Sequence, residues 1–295
     1  MAKRVTREGY VRVEGGRVWY RIVGDGDRTP LLTLHGGPGA PHDYLEPLAA
    51  LADERPVVFY DQLGCGRSDR PRNRRLWRVE RFVAELARLR ESLRLSRVHI
   101  LGQSWGTMLA VDYLLTRPDG VESVILADPA ISIPRWLADA ARLRHKLPKR
   151  VRDTLDRHEK SGSLECLEYQ AAVLAFYKRH VCRMDPWPEA LERTFKGIGN
   201  EVYNTMWGPN EFLATGTLKT YDRSALLSEI DAPTLLVCGR YDEGTPESTA
   251  FYRRQIRGAE MAVFERSSHM PQLEETAKYL RVMRGFIGRV EARLS

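Results

Sequence analysis

Short, almost wholly apolar runs alternate along this chain with stretches in which apolar residues fall three and four apart. Leu31–Leu34, Val57–Tyr60, Val98–Leu101 and Val121–Leu126 are such runs. Strands buried on both faces have this composition because neither face meets water. Phe82, Leu86, Leu89 and Leu93 fall at spacings of 4, 3 and 4, which is one face of a helix over Val79 to Leu93. Upstream, Tyr10–Glu14 and Val18–Val23 read as a hairpin of edge strands turning at Gly15-Gly16. Strand–helix alternation requires right-handed crossovers, so the pattern predicts an α/β fold with a mostly parallel sheet flanked by helices.

The strand signal fades after about residue 130. Residues 131–222 are charged and helical, punctuated by Pro134, Pro148, Pro186, Pro188 and Pro209. It returns with Thr234–Cys238 as a strand, Glu247–Ile256 as a helix, Met261–Phe264 as a strand and a last helix near Glu274–Val290. The expected organisation is one core domain, residues 1–130 and 223–295, carrying a helical cap at 131–222 inserted between two sheet strands. No repeat or low-complexity linker divides the chain.

Composition narrows this picture only modestly. The 295 residues are 43% hydrophobic, which suffices for one large core. The stretch Met1 to Gly16 is polar and charged, without the apolar segment of a secretory signal. No run approaches the ~18 apolar residues of a membrane span, so a cytoplasmic protein without a membrane partner is expected. The net charge of +7 and the basic run Arg67 to Arg81 raise the question of nucleic acid. No nucleic-acid-binding signature accompanies them, and arginines scattered along the chain read as solvated faces. Cys65, Cys166, Cys182 and Cys238 form no CxxC pair and no metal spacing with histidine, so neither a bound metal nor a disulfide framework nor any cofactor is expected. Cys238 reads as a core residue. Cys65 lies in a loop expected to approach the reactive centre, without a catalytic role. Nothing in the sequence fixes an oligomeric state.

The chemistry concentrates in Gly102-Gln103-Ser104-Trp105-Gly106, which directly follows one predicted strand and opens a helix. A serine on such a sharp strand-to-helix turn stands exposed as a nucleophile, and the flanking glycines let two backbones pass closely. Its hydroxyl needs a base held by an acid, following in the order Ser, Asp or Glu, His. Of seven histidines, His269 alone follows the last predicted strand. Asp242, after Thr234–Cys238, is the expected acid; Asp128, after Val121–Leu126, is the rival, with a turn or helix cap as its other reading. The loop His35-Gly36-Gly37-Pro38-Gly39 lacks the lysine and Ser/Thr of a phosphate cradle. It can instead approach the serine closely, making the Gly37 and Trp105 amides the expected oxyanion donors.

Five segments, HGGPG at 35–39, DQLGCGRSD at 61–69, GQSWG at 102–106, GPNEF at 208–212 and the Asp242-Glu243 pair, together resemble the proline iminopeptidases. The likeness runs from about residue 9 to 290. Within that family the chain is most similar to the tricorn-interacting aminopeptidase branch and to related L-amino acid amidases. The resemblance implies an α/β-hydrolase fold and a small peptide or amino acid amide as substrate. It also implies that Glu211 and Glu243 hold the substrate's free α-ammonium. It further suggests an apolar pocket for a pyrrolidine ring, with Tyr203, Met206, Trp207 and Phe212 as candidate walls. Thr107 departs from the family, where a second glycine commonly follows the elbow. A carboxylesterase indifferent to amines and a non-catalytic binding protein on the same fold are the competing readings.

Overall fold

The computed structural model describes residues 6–294; the first five residues of the charged N-terminal stretch lie outside the described residues. Eight strands form one sheet: β1 (Thr6–Val13), β2 (Gly16–Val23), β3 (Leu31–Leu34), β4 (Val57–Tyr60), β5 (Val98–Gln103), β6 (Val121–Ala127), β7 (Thr234–Gly239) and β8 (Glu260–Phe264). Their order is β1-β2-β4-β3-β5-β6-β7-β8. Strands β3 to β8 are parallel, whereas β2 runs antiparallel to both β1 and β4. The expected hairpin is therefore present; Val13 stands opposite Gly16, so the turn is Glu14-Gly15 and Gly16 already opens β2. It does not supply two edge strands, because β2 is paired on both sides and only β1 lies at the margin.

The strands β3 to β7 are buried along essentially their whole length, as their uninterrupted apolar composition requires. Helix α1 (Val79–Ser92) buries Phe82, Leu86 and Leu89 completely, each worth about 1.5–3 kcal/mol relative to exposure. Helix α2 (Trp105–Leu115) follows β5 directly and is buried nearly all round, consistent with its largely apolar sequence. Within the basic run, Arg67 and Arg75 are solvent-facing, but Arg81 departs from the expectation of solvated arginines. It is fully buried and its guanidinium forks onto Glu85 at 2.7 Å. A charge can occupy that core only because its partner is one helical turn away.

Between β6 and β7 the chain forms α3 (Ile133–His145), α4 (Lys149–Ser161), α5 (Leu167–His180), α6 (Glu189–Gly197) and α7 (Asn200–Met206). Entry and exit of this helical stretch lie side by side. Ser132 and Asp222 form a backbone bridge, Ile133 N–H donates to the Tyr221 carbonyl at 2.9 Å, and Arg223 N–H donates to the Ile131 carbonyl at 3.1 Å. The C-terminal part adds α8 (Pro246–Gln255), α9 (Pro271–Glu274) and α10 (Thr276–Leu294). No helix among the described residues is long and apolar enough to cross a membrane.

Strand order reverses direction between β3 and β5, since β4 lies on one side of β3 and β5 on the other. Loops leaving the carboxyl ends of two such strands diverge and open a crevice above the sheet. The loop with Gly36 and Gly37 follows β3, and Ser104 follows β5.

Candidate active site

Ser104 adopts φ 54° and ψ −120°, a backbone region that residues with a Cβ seldom occupy. Two glycines make the turn possible. A Cβ on Gly102 would lie 2.2 Å from the Gly106 carbonyl oxygen, and one on Gly106 would lie 2.1 Å from that of Leu34. Further bonds hold the turn from outside: Ser104 N–H donates to the Ala127 carbonyl at 3.0 Å. Thr107, the departure from the family pattern, takes part as well. Its hydroxyl donates to the Ser104 carbonyl at 2.6 Å and accepts the Ala130 N–H at 3.1 Å.

Asp242 lies in the loop after β7 and His269 in the loop after β8, and the structure brings them together. His269 Nδ1–H donates to Asp242 Oδ1 at 2.7 Å, and the same oxygen accepts Gly244 N–H at 2.9 Å. This fixes the tautomer that leaves Nε2 as an acceptor. The ring is packed edge-on against Trp136 of α3 at 5.6 Å, and its loop is tied down by the His180 carbonyl accepting His269 N–H at 3.2 Å. Burial alone would lower the His269 pKa. The charge and hydrogen bond of Asp242, with Glu211 and Glu274 further off, outweigh it and hold the imidazole above its ordinary value. Asp128 makes no turn or cap bond through its side chain; it is buried behind Asp242, and His269 pairs with Asp242.

Around the serine, the loop after β3 is held in place by a buried polar network. The Tyr44 hydroxyl accepts Gly36 N–H at 2.7 Å and donates to Gln103 Oε1 at 2.6 Å, while the Gln103 amide donates to the His269 carbonyl at 3.1 Å. Burial lowers the His35 pKa to about 4, so the ring is neutral at working pH. Its Nε2 accepts Gln62 N–H at 2.8 Å, leaving Nδ1–H to donate to the Gly36 carbonyl at 3.0 Å. Gln62 Oε1 accepts the Trp105 indole N–H at 2.8 Å. The segment 61–69 is thus scaffold: Asp61 accepts from His42 Nδ1 at 2.8 Å and from Arg67 N–H at 2.9 Å. Cys65 is fully buried beneath it and its thiol pKa is pushed up by that burial, so no accessible thiol faces the site.

Gly37 has φ 108°, and a Cβ there would collide with Gly39 N at 2.5 Å. Its amide donates no hydrogen bond among the described residues, and Trp105 opens α2, where helix amides lack internal partners. Tyr44, Gln103 and Gln62 carry no signal of this role in the sequence. Gln103 is the variable position of its own motif, and Tyr44 lies in a helical stretch, His42–Asp53, whose approach to the serine depends on the fold.

Glu211 and Glu243 line the same cleft as Ser104 and His269. Glu211 is positioned by α3, α5 and α7. Trp136 Nε1–H donates to its carbonyl at 2.9 Å, its own N–H donates to the Tyr177 hydroxyl at 3.3 Å, and the Tyr203 hydroxyl donates to Oε1 at 2.7 Å. Glu243 is completely buried, and neither carboxylate oxygen has a partner among the described residues. Arg240 pairs instead with Glu265 at 2.7 Å. Burial raises the Glu243 pKa well above the usual carboxylate value, and the neighbouring charges of Glu211 and Asp242 add to it. Burial likewise raises that of Glu211, against the Tyr203 hydrogen bond and His269.

Apart from Thr194, the remaining walls of this cleft are mostly apolar: Val181, Leu191, Phe195, Ile198, Tyr203 and Met270. Of the four aromatic and sulfur side chains expected around the ring pocket, only Tyr203 lines it. Met206 and Trp207 are packed into the core behind, and Phe212 packs edge-on against Phe176 among the helices of the insertion. Proximity in sequence to residues 208–212 is a poor guide, because a helical segment presents only one face to the cleft. Phe195, which does line it, sits on α6, remote from every motif.

Among the described residues, two groups of side chains are near enough to hold a cation: His42, Asp43 and Glu46, and Asp128, Asp242 and His269. In the first, Arg193 already pairs with both Asp43 and Glu46, and His42 with Asp61. In the second, His269 and Asp242 bind each other.

A family model described as the alpha/beta hydrolase fold matches residues 29–276. A proline iminopeptidase of Heyndrickxia coagulans is 47% identical over 285 residues, covering 96% of this chain and 99% of that protein. One of Saccharolobus solfataricus is 38% identical over 287 residues, covering 96% and 93%. Among solved structures, VinJ superposes with a TM-score of 0.92 at 39% identity, covering 97% of this chain and 98% of its own. The proline iminopeptidase of Mycobacterium smegmatis superposes with a TM-score of 0.91 at 33% identity, covering 98% and 100%.

Proposed function

Because the chain belongs to the proline iminopeptidase family of α/β-hydrolases, we propose that it is a serine peptidase releasing the N-terminal residue, preferably proline, from small peptides. The observation that carries the substrate class is Glu243: a buried carboxyl with two unpartnered oxygens, beside a second acid, in the cleft that holds Ser104. Buried acids without a cation are costly. A substrate α-ammonium supplies the missing charge and allows both carboxyls to ionise around it, each charge-assisted hydrogen bond contributing roughly 1.5–3 kcal/mol. On this reading the two acids anchor the amine itself, which selects a free N-terminus over an acylated one.

With the amine anchored, the first carbonyl lies over Ser104. Oγ attacks the carbonyl carbon while His269 Nε2 takes the hydroxyl proton, and the Gly37 and Trp105 amides receive the developing oxyanion. Collapse of the tetrahedral intermediate breaks the C–N bond as His269 returns the proton to the leaving amine. Water then repeats the sequence on the acyl-enzyme. The helical stretch 131–222 acts as a cap that supplies Glu211, Trp136 and the apolar walls other than Met270.

The test is a comparison of free and acetylated amines. A blocked prolyl substrate is expected to be cleaved at least ~100-fold less efficiently, equivalent to about 2.7 kcal/mol of transition-state binding. Glu211→Gln should lower kcat/KM for free-amine substrates far more than for a simple ester. Equal cleavage of blocked and free substrates by the wild type would make this an esterase or general amidase. An absolute amine requirement with prolinamide far outrunning prolyl peptides would make it an amino acid amidase.

The pH profile offers a second check. Only neutral imidazole accepts the serine proton, and His269 is held above the ordinary value of ~6.5. The acid limb of kcat/KM should therefore have its midpoint above that value, and Glu211→Gln, which removes one of the charges raising it, should move the limb to lower pH. A wild-type midpoint well below 6.5 would contradict the arrangement.

A further inference from the structure

Behind the His269–Asp242 pair lies an acid that the hydrolytic steps leave unused. Asp128 ends β6 with φ 51° and is completely buried. One oxygen of Asp128, one of Asp242 and a ring nitrogen of His269 lie within 4.8 Å of one another. Neither Asp128 oxygen makes a well-formed hydrogen bond among the described residues, since the Gln103 amide beside it donates to the His269 carbonyl, and Asp242 Oδ2 makes none either, although Asp242 Oδ1 accepts two. Three buried acceptor atoms on two neighbouring carboxyls are left unsatisfied if both groups are ionised. Buried acceptors in folded proteins are nearly always satisfied, and two adjacent carboxylates cannot both hold full charge away from water.

A single proton resolves the arrangement. We propose that Asp128 is a positioning residue for the hydrolysis, held as the neutral acid and donating its proton to Oδ2 of Asp242, so that Oδ1 stays aimed at His269 Nδ1. Burial first, and then the Asp242 charge, raise the Asp128 pKa well above the usual carboxylate value, in keeping with this. The groups that face Asp128 are Asp242 and Cys238 from the β7 side, Glu274 of α9, Tyr279 of α10, Tyr44, Gln103 and His269. None of these is a lysine or arginine. The role rests on the proposed pairing of Ser104 with His269 and Asp242.

Two substitutions separate positioning from packing. Asn and Gly both tolerate the left-handed backbone at this position, so neither brings the strain that alanine would. Asp128→Gly removes the donor and should lower kcat by roughly 10- to 30-fold with KM little changed, consistent with the loss of one buried hydrogen bond. It should also move the acid limb upward, because Asp242 without its donor holds the His269 proton more tightly. Asp128→Asn keeps an N–H donor at the same place and should recover most of the rate and restore the limb.

Thermal unfolding gives a readout independent of turnover. A carboxyl that keeps its proton when folded but loses it in the unfolded chain above ~4 makes stability fall as pH rises from there, until the folded group itself ionises. Asparagine carries no such linkage, so the Tm advantage of Asp128→Asn over wild type should widen from pH 5 to pH 8. The same measurement in a Ser104→Ala background is immune to any failure of the hydrolase reading. A Tm gap that stays flat with pH would overturn the proposal, as would Asn and Gly variants with equal kcat. Should Asp128→Asn prove severe while Asp242→Asn is mild, Asp128 is itself the acid that holds His269, and both assignments fall together.

Discussion

Ser104→Ala is expected to lower kcat by roughly 10⁵- to 10⁶-fold for every substrate, the scale on which removal of a serine nucleophile acts when it works as one unit with its base. The substitution deletes one oxygen and keeps the Cβ, so the φ of 54° is no harder for alanine than for serine. The bonds that hold the turn, from Ser104 N–H to Ala127 and from the Thr107 hydroxyl to the Ser104 carbonyl, are backbone bonds at that residue and survive. Folding should therefore be unaffected, and Tm should match the wild type within a few degrees. The residual rate over water measures what the Gly37 and Trp105 amides and the amine site do alone. A sulfonyl fluoride should label the wild type at Ser104 and leave the variant untouched. Turnover above about a tenth of the wild-type rate would end the covalent mechanism, whatever became of the amine site.

The sequence made some parts of this arrangement legible and hid others for identifiable reasons. Strands β3 to β7 were readable because both their faces are buried, which leaves an uninterrupted apolar run in place of alternation with polar residues. That Ser104, Asp242 and His269 lie near one another was expected from the sequence because each falls in the turn or loop after a strand, and the carboxyl ends of parallel strands converge on one crevice. The paired status of β2 was not readable, since an alternating strand looks the same with one neighbour as with two. Phe195, Tyr44 and Gln103 line the cleft from three separate elements, and only tertiary packing brings them together. The Asp128–Asp242 approach shows the same limit: as rival candidates for one role the two acids were both visible, but their adjacency comes from β6 and β7 lying side by side.

Asp242→Asn should lower kcat by about 10⁴-fold while leaving KM within a few-fold, because the residue touches no part of the substrate and acts through His269. Two effects add. The first is geometric. Asp242 Oδ1 now accepts both His269 Nδ1–H and Gly244 N–H, and an amide can keep these bonds only by turning its NH₂ toward Asp128. The alternative orientation places N–H against Nδ1 and forces the imidazole into the tautomer whose Nε2 carries a proton and cannot accept one from Ser104. The second is electrostatic, since a neutral amide cannot stabilise the imidazolium that forms in the transition state. The sign of the pH effect follows from the same charge. His269 is raised above its ordinary value chiefly by Asp242, against the opposing effect of burial, so the residual activity of Asp242→Asn should have its acid limb at lower pH than the wild type. An unmoved limb with a 10⁴-fold loss would mean that orientation alone matters. A loss below about tenfold would mean that Asp242 is not the group holding His269 during turnover.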